Sequence, residues 1–239
     1  MITLPVREVV FATPRARGIS LDLGDQAFVF SAGQAVMVGL NGSPLRKPYS
    51  IASAPWEVAK TGVMQLLIQI DDSALDPHLE RATRGIRVDV EGPFGTFGLP
   101  AGNASEPLLF VAGGTGIAPL RSILMERLLR GGTAPAFGPA GQAITVIYSA
   151  RSPQEFAFRS ELDALEKAGR ITAHFTVTRD EGGAWPGRRG RIDHALIEKA
   201  LPSSEARCLI CGPPQLVTDA SALLVKLGVK RDRIMTERY

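Results

Sequence analysis

From residue 108 to the C-terminus, strand-like and helix-like patterns alternate along the chain. Buried-type strands are predicted at residues 108–112, 143–148, 171–178 and 207–211, and helices from residue 117 and at 155–167, 193–200 and 214–227. Strands joined by crossover helices pair in parallel. The pattern therefore predicts a doubly wound α/β domain built on a parallel sheet.

The first hundred residues show a different pattern, with short apolar runs separated by turn residues. Strands are predicted at residues 28–30, 35–38, 66–70 and 86–90, which is typical of an antiparallel barrel or sandwich. One helix is predicted from an N-cap at Asp76 through residue 82. A polar stretch bracketed by prolines 100 and 107 separates the halves. We therefore predict two domains, at residues 1–102 and 107–239.

The composition excludes several classes of protein. The net charge of the 239 residues is +3, too small to indicate nucleic-acid binding. Two cysteines and three histidines leave few metal ligands, so no metal is predicted, and a four-cysteine iron–sulfur cluster cannot form within this chain. The longest apolar stretches are shorter than the roughly 18 residues of a membrane span. The first residues lack a signal-peptide pattern, so a cytoplasmic protein is expected.

A glycine-rich turn follows the first predicted strand of the second half. Residues 110–119 read Phe-Val-Ala-Gly-Gly-Thr-Gly-Ile-Ala-Pro, so a strand runs into three glycines and then into a helix. Glycines allow a sharp turn and the close approach of a ligand, while unpaired amides and the positive helix end attract an anion. The spacing matches neither the Rossmann nor the Walker motif. The segment indicates either a phosphate cradle or a tight turn without a ligand.

A second candidate site lies at residues 46–53, which read Arg-Lys-Pro-Tyr-Ser-Ile-Ala-Ser. Strand alternation places Tyr49 and Ile51 on one face and Ser50 and Ala52 on the other. Such a set can neutralise a phosphate, stack on a planar ring and form a hydrogen bond with a ring heteroatom. The alternative is a basic turn that faces solvent.

Together these motifs resemble those of the ferredoxin–NADP⁺ reductase superfamily, and the resemblance covers essentially the whole chain. That family joins a flavin-binding antiparallel Greek-key β-barrel to an α/β domain that binds a nicotinamide dinucleotide. Its flavin motif, Arg-x-Tyr-Ser/Thr, is occupied here by Lys47, Pro48, Tyr49 and Ser50, with Arg46 one place earlier. Lysine supplies a point charge where arginine would form two hydrogen bonds. The resemblance implies that Tyr49 packs on the flavin and Ser50 bonds near its reactive nitrogen.

Two other segments of the first half align with flavin-binding elements of the family. Residues 92–97, Gly-Pro-Phe-Gly-Thr-Phe, are similar to the turn that closes the barrel beside the cofactor. Residues 73–76, Ser-Ala-Leu-Asp, align poorly with a Gly-x-x-Ser/Thr segment that faces the flavin pyrophosphate, because Asp76 would repel a phosphate. The resemblance implies FAD, with FMN as the alternative.

In the second half, residues 113–119 together with Ser122 resemble the pyrophosphate loop of the family. Residues 211–214, Cys-Gly-Pro-Pro, resemble the segment that lies near the nicotinamide. Cys208 and Cys211 form a Cys-x-x-Cys pattern, but both are predicted in or at the end of one strand. Cys208 is therefore interpreted as a buried small apolar residue rather than as a redox partner.

Two further groups are implied to contact the nicotinamide dinucleotide. Thr178, Arg179 and Arg189 are candidates for binding the 2′-phosphate of NADPH, with a solvated basic loop as the alternative. The terminal Tyr239 would stack on the flavin in the place of the nicotinamide, with Glu237 near the reacting edge.

The resemblance implies a reductase that transfers a hydride from NADPH or NADH to bound flavin and then passes electrons to a separate acceptor, such as a ferredoxin-like protein or an oxygenase component. An NAD(P)H:free-flavin reductase, a non-catalytic subunit and a flavin-free dehydrogenase are the alternatives. The implied catalytic residues are Ser50, Cys211, Glu237 and Tyr239. The implied cofactor-binding residues are Arg46, Lys47, Pro48, Tyr49, Ser50, Gly92, Pro93, Phe94, Gly95, Gly113, Gly114, Thr115, Gly116, Ile117, Pro119, Thr178, Arg179, Arg189, Cys211, Gly212, Pro213 and Tyr239.

Overall fold

The first half of the chain folds around a six-stranded antiparallel sheet. A computed structural model describes residues 1–70, 79–100, 106–129, 143–180, 183 and 185–239. The strands of the first sheet are β1 (Ile2–Thr13), β2 (Ala16–Asp22), β3 (Ala35–Leu40), β4 (Lys47–Ser50), β5 (Val63–Gln69) and β6 (Arg87–Phe94). Their spatial order is β4-β3-β6-β1-β2-β5.

This sheet curls into a barrel. A bridge between Ile51, just beyond β4, and Leu66 of β5 joins its two edges. Apolar side chains from the strands fill the interior, Ile19 and Val88 among them. Strand β6 lies between β3 and β1, so sequence neighbours are not always spatial neighbours, as in a Greek key. The predicted barrel is confirmed, as are the strands predicted at 35–38, 66–70 and 86–90.

The structure differs from the predictions at several places in this half, and the strands β1 and β2 are not among the predicted ones. Residues 28–30 form no strand: Val29 is 86% exposed, whereas Phe30 is buried in the core and Phe28 packs against it. A helix that the pattern does not indicate, α1 (Pro55–Thr61), begins with proline at its first position and ends at Gly62, which has a φ of 65°. The helix predicted from Asp76 begins outside the described residues, and its described part is a 3-10 turn.

The second half folds around a six-stranded parallel sheet. Its strands are β7 (Leu108–Gly113), β8 (Ile144–Ala150), β9 (Thr172–Val177), β10 (Arg188–Arg189), β11 (Arg207–Gly212) and β12 (Ile234–Arg238), in the order β10-β9-β8-β7-β11-β12. Its helices are α2 (Ile117–Leu129), α3 (Arg159–Lys167), α4 (His194–Ala200) and α5 (Pro214–Lys226).

Helices cover both faces of this sheet. Leu108 and Phe110 of β7 pack with residues of α2 and α3, whereas Leu109 and Val111 pack with residues of α4 and α5. The predicted doubly wound α/β architecture is therefore confirmed. The structure differs in that α3 begins at Arg159 rather than at residue 155, and in that two unpredicted strands, β10 and β12, form the edges of the sheet.

The link between the two sheets lies partly outside the described residues. Strand β6 ends at Phe94 and β7 begins at Leu108, but residues 101–105 are not described, so the predicted domain boundary stays a prediction. Among the described residues, the helices are too short or too polar to cross a membrane.

Candidate functional site

The glycine-rich turn lies at the carboxyl end of β7, in the middle of the parallel sheet. Strand β7 ends at Gly113, a 3-10 turn follows, and α2 begins immediately afterwards with Pro119 in its first turn. Gly114 has a φ of 53°, and a Cβ on Gly116 would lie 2.4 Å from the carbonyl oxygen of Cys211. Gly114 has a left-handed conformation, and Gly116 packs against β11, so a larger residue fits at neither position.

Tyr148, a residue that the motifs do not single out, supports this turn from behind. It lies on β8 and is fully buried. Its hydroxyl donates a hydrogen bond to the carbonyl of Gly114 over 2.9 Å and accepts one from the amide of Ala157 over 3.2 Å. Burial raises the pKa of the Tyr148 hydroxyl, so the group stays a neutral donor. The turn is thereby tied to the loop after β8.

The last residue of the chain reaches into the same turn. The Tyr239 hydroxyl donates a hydrogen bond to the carbonyl of Gly113 over 2.7 Å. Burial raises the pKa of this hydroxyl, whereas the side chain of Thr115 and the nearby backbone amides of Thr115 and Gly116 act in the opposite direction. These amides are the donors expected to hold a phosphate. The side chain of Tyr239 is half exposed and covers the predicted cradle.

A cavity of about 560 Å³ opens at the carboxyl ends of the parallel strands and reaches across to the barrel. The turn, Thr178 and Tyr239 line one side, and the tip of the β1–β2 hairpin with the end of β5 lines the other. Three arginines from different elements also line it: Arg15, Arg151 and Arg191. Within the part of the chain that the structure describes, none of the three forms an ion pair. The cavity therefore suits an anionic ligand.

Three of the predicted catalytic residues come together between the two halves. The Ser50 hydroxyl at the end of β4 lies 3.4 Å from Glu237 Oε1 and donates a hydrogen bond to it. Glu237 in turn lies opposite Cys211 in the register of β11 and β12. Burial raises the pKa of both the Glu237 carboxyl and the Cys211 thiol. Glu237 Oε2 is buried and has no hydrogen-bond partner among the described residues.

The basic residues of the barrel motif face different surroundings. The Arg46 guanidinium lies 3.6 Å from the buried Asp89 carboxylate on β6. Hydrogen bonds from Asn41 and Thr3 lower the pKa of that carboxyl, so it is a permanent counter-charge for Arg46. Lys47, Pro48 and Tyr49 lie on β4, with the partly buried Tyr49 packed against the barrel core.

Of the turn predicted at residues 92–97, residues 92–94 are the end of β6, and only residues 95–97 follow the strand, beside Glu237. The side chain of Gln34 donates a hydrogen bond to the carbonyl of Gly95 over 3.0 Å and holds the turn in place. Phe94 is exposed, and together with Gly95 and Glu237 it lines a second cavity of about 310 Å³. Gly92 and Pro93 belong to the end of β6 and precede this cavity.

The basic segment after β9 is arranged differently from the prediction. Arg189 is held in an ion pair with Asp180 over 2.8 Å and also bonds to the carbonyl of Gly183. Neither Arg189 nor Arg179 lines the cavity, whereas Thr178 and Arg191 do. Arg191 is not named as a candidate from the sequence, because nothing local separates this arginine from its basic neighbours.

The remaining predicted residues lie along β11 and α2. Gly212 packs closely against the backbone of Gly113, and Pro213 lines the cavity. Cys208 is a buried free thiol in β11, and burial raises its pKa to about 12. That placement agrees with its interpretation as an apolar core residue. Ser122 is buried and donates to the carbonyl of Ser53 over 2.8 Å.

Sequence comparison identifies the family. Residues 110–222 match the family described as "Oxidoreductase NAD-binding domain". The chain is 32% identical over 243 residues to "Ferredoxin--NADP reductase B" of Sorangium cellulosum, covering 95% of this chain and 93% of that protein. The chain belongs to the ferredoxin–NADP reductase family. It is an oxidoreductase, and the resemblance seen in its motifs is confirmed.

This chain is also similar to a cytochrome b5 reductase and to two solved structures. It is 29% identical over 209 residues to "NADH-cytochrome b5 reductase 1" of Meyerozyma guilliermondii, covering 84% of this chain and 69% of that protein. The Amycolatopsis cytochrome P450 reductase GcoB has the same fold, with a TM-score of 0.82, 24% identity and coverage of 99% and 68%. So does a Neisseria gonorrhoeae ferredoxin NADP⁺ reductase with bound FAD and NADP, with a TM-score of 0.79, 22% identity and coverage of 99% and 98%.

Proposed function

We propose that this reductase oxidises NADPH, transfers the hydride to a bound FAD and passes the electrons to a separate acceptor protein. The observation that carries the proposal is the convergence of Ser50, Cys211 and Glu237 from both halves, next to the glycine-rich turn. A reaction between two cofactors needs such a meeting point, with one cofactor held by each half.

The second half fits a dinucleotide. The amides of Thr115 and Gly116 lie close to the Tyr239 hydroxyl oxygen, so they can donate hydrogen bonds to a phosphate oxygen placed there. The cavity beside them, about 560 Å³, is within the usual range of roughly 300–1,000 Å³ for ligand pockets. The three arginines on its walls, which form no ion pair with any described residue, complement several phosphate charges.

The barrel fits a flavin at β4. Tyr49 supplies an aromatic ring and Ser50 a hydroxyl beside the buried, unpartnered Glu237 Oε2. Because Arg46 is bound to Asp89, we assign the flavin phosphate contact to Lys47. The FAD in the Neisseria gonorrhoeae structure supports FAD rather than FMN. Bound FAD would accept the hydride as an electron pair and release the electrons separately.

Within this site, the protein residues orient the cofactors and hold a proton. Because burial raises its pKa, the Glu237 carboxyl keeps its proton to a higher pH than an exposed glutamate. The Ser50 hydroxyl lies beside this carboxyl and bonds to the flavin edge in our proposal. The role of Cys211 is to contact the nicotinamide from the carboxyl end of β11.

We assign the choice of NADPH to Thr178, Arg151 and Arg191, which line the cavity. This revises the set expected from sequence, because Arg189 is bound to Asp180. The acceptor is a separate protein: the names of the relatives, which include a ferredoxin reductase and a cytochrome P450 reductase, support an iron–sulfur or oxygenase-type partner.

The test combines cofactor identification with two substitutions. The purified protein is expected to absorb in the flavin bands, to release FAD on denaturation, and to be reduced faster by NADPH than by NADH in anaerobic stopped-flow mixing. Tyr49→Ala should lose flavin, and Ser50→Ala should keep flavin but be reduced more slowly. Phe11→Ala, an exposed aromatic on the β1–β2 hairpin, is the matched control. A colourless wild-type protein that cannot be loaded with flavin would point instead to a non-catalytic subunit.

A further inference from the structure

A buried arginine on α2 connects the two halves of the molecule. The Arg121 guanidinium forms a fork with Glu57 of α1, with Nη1–Oε2 and Nη2–Oε1 distances of 2.9 Å each. It also donates from Nη2 and Nε to Glu161 Oε2 of α3, over 2.8 and 3.2 Å. Nη1 donates further to the main-chain carbonyl of Ala52 over 2.9 Å. All five N–H donors of the side chain are therefore engaged.

The surroundings leave this guanidinium little freedom. The side chain is only 6% exposed, and the ring of Phe158 lies 5.0 Å from it. Glu57 is itself fixed, because its Oε2 accepts a hydrogen bond from the amide of Ala54 over 2.7 Å. Phe158 has a φ of 57°, a left-handed conformation that is uncommon for a phenylalanine. These contacts therefore hold the guanidinium and Glu57 in one geometry.

The contacts of Arg121 lie between the two parts of the proposed active site. Along the chain, Ala52 follows Ser50 by two residues, and α2 begins directly after the glycine-rich turn. The neighbouring Ser122 adds a second tie, because its hydroxyl donates to the carbonyl of Ser53 over 2.8 Å. Two adjacent residues of α2 thus fix the main chain just after Ser50 to the helix that starts at the turn.

The chemical nature of the contact also bears on its role. Buried ion pairs contribute little net stability, because desolvation offsets their attraction, and apolar residues often replace them without loss. What a forked guanidinium supplies beyond apolar packing is a defined distance and angle. A charged contact at this place therefore favours a geometric role over simple adhesion of the two halves.

We propose that Arg121 is a positioning residue that sets the distance between Ser50 and the glycine-rich turn, and so aligns the flavin with the nicotinamide. This inference rests on the proposed function. It predicts that cofactor binding and cofactor alignment can be separated. Removing the fork should leave each cofactor bound to its own half, yet slow the transfer between them, since a misplacement of about 1 Å costs on the order of 100-fold in rate.

The decisive variant removes the charges without leaving one unpaired. It combines Arg121→Met with Glu57→Gln and Glu161→Gln, so no buried carboxylate remains without a partner. A second variant, Arg121→Lys, keeps the positive charge but cannot form the fork. The matched control is Arg207→Met with Glu106→Gln. That pair is also close, at 2.9 Å, and largely buried, but lies at the opposite end of the parallel sheet.

Four quantities are compared with the wild type: flavin content, the Kd for NADP⁺ from calorimetry, the rate of flavin reduction at saturating NADPH, and the Ser50 Oγ–Glu237 Oε1 distance in crystals, which is 3.4 Å here. We expect flavin content and Kd to change by less than about threefold, the rate to fall at least about tenfold, and the distance to lengthen. Arg121→Lys should show the same split, and the control should match the wild type.

A folded triple variant whose reduction rate stays within about twofold of the wild type, with an unchanged distance, would refute the inference. If the triple variant does not fold, Arg121→Lys decides by the same criteria. The wild-type measurement separates this outcome from failure of the proposed function. A wild-type protein that binds no flavin would overturn the function itself. If the wild type and the variants all react at the normal rate, only the role of Arg121 is overturned.

Discussion

In the proposed function, the hydroxyl of Tyr239 lies where a dinucleotide phosphate would bind, so removing it should strengthen dinucleotide binding. The hydroxyl donates to the Gly113 carbonyl over 2.7 Å and lies close to the amides of Thr115 and Gly116. A ligand that uses these amides must first break those contacts. The perturbation is Tyr239→Phe, which deletes the hydroxyl and keeps the ring.

The magnitude follows from the one hydrogen bond that the variant loses, which joins the Tyr239 hydroxyl to the Gly113 carbonyl. A neutral hydrogen bond contributes on average about 1 kcal/mol net, and the half-exposed position of Tyr239 argues against a larger value. The ligand-free state of the variant loses about this much, whereas the complex loses nothing. Since about 1.4 kcal/mol corresponds to a factor of ten, the Kd for NADP⁺ should fall by about fivefold.

Calorimetric titration with NADP⁺ measures this change directly. Thr236→Val is the matched control, because Thr236 lies on the same strand but does not line the larger cavity. Tyr239→Ala, which also removes the ring, should bind at least as tightly as Tyr239→Phe. An unchanged or weaker Kd in Tyr239→Phe would show that the hydroxyl does not compete with the ligand, and the reasoning would be wrong.

Two further predictions concern pH and coenzyme choice. Burial raises the pKa of Glu237 above its ordinary 4.5. Between these two pKa values the folded state keeps a proton that the unfolded chain has released, so this group lowers the stability of the wild type as the pH rises above 4.5. The melting temperature of Glu237→Gln should therefore rise relative to that of the wild type as the pH increases. A difference in melting temperature that does not change with pH would contradict the assigned pKa shift. Arg191→Met should raise the KM for NADPH about tenfold and leave that for NADH nearly unchanged, since a hydrogen bond to a charged group is worth about 1.5 kcal/mol. Arg189→Met is the matched control in these steady-state assays because Arg189 is bound to Asp180, and equal effects of both variants would refute the assignment.

Sequence patterns predict the parallel sheet well because its central strands are buried on both faces. Strands β7, β8 and β11 are buried along nearly their whole length and are separated along the chain by helical segments. Strand β12 escapes prediction because it lies at the sheet edge and reads Ile-Met-Thr-Glu-Arg, with no apolar run. Yet this strand carries the glutamate of the candidate site.

The barrel is harder to predict because its longest hairpin does not alternate regularly. In β1, register shifts interrupt the pairing with β2 between Val6 and Glu8 and again between Phe11 and Thr13, so the period of two is lost. Conversely, residues 28–30 are apolar without being a strand: Phe30 fills the core, while Val29 faces solvent. The apolar residues at 28–30 indicate that part of this segment is buried, but they do not indicate a strand, because strand pairing depends on partners elsewhere in the chain.

For the site, local motifs identify the segments but not their partners. The glycine-rich turn and the Tyr49–Ser50 pair are readable because each function needs particular residue types next to one another. The contributions of Tyr148 and Arg121 are invisible in sequence, because their partners lie 34 and 64 residues away along the chain. Nothing within either segment indicates those contacts, so only the packed structure can assign them.

The two adjacent cations at the start of β4 illustrate how packing decides between neighbours of equal charge. Arg46 and Lys47 look equivalent in the sequence, but the buried Asp89 carboxylate requires a counter-charge and takes Arg46. The residue assigned to the flavin phosphate is then lysine, which offers a single charge rather than a fork. Less of the phosphate binding can come from this side chain. In the proposed function, the geometry of the flavin therefore depends more on Tyr49 and Ser50, and Arg121 and Ser122 hold the residues directly after their strand, Ala52 and Ser53, against α2.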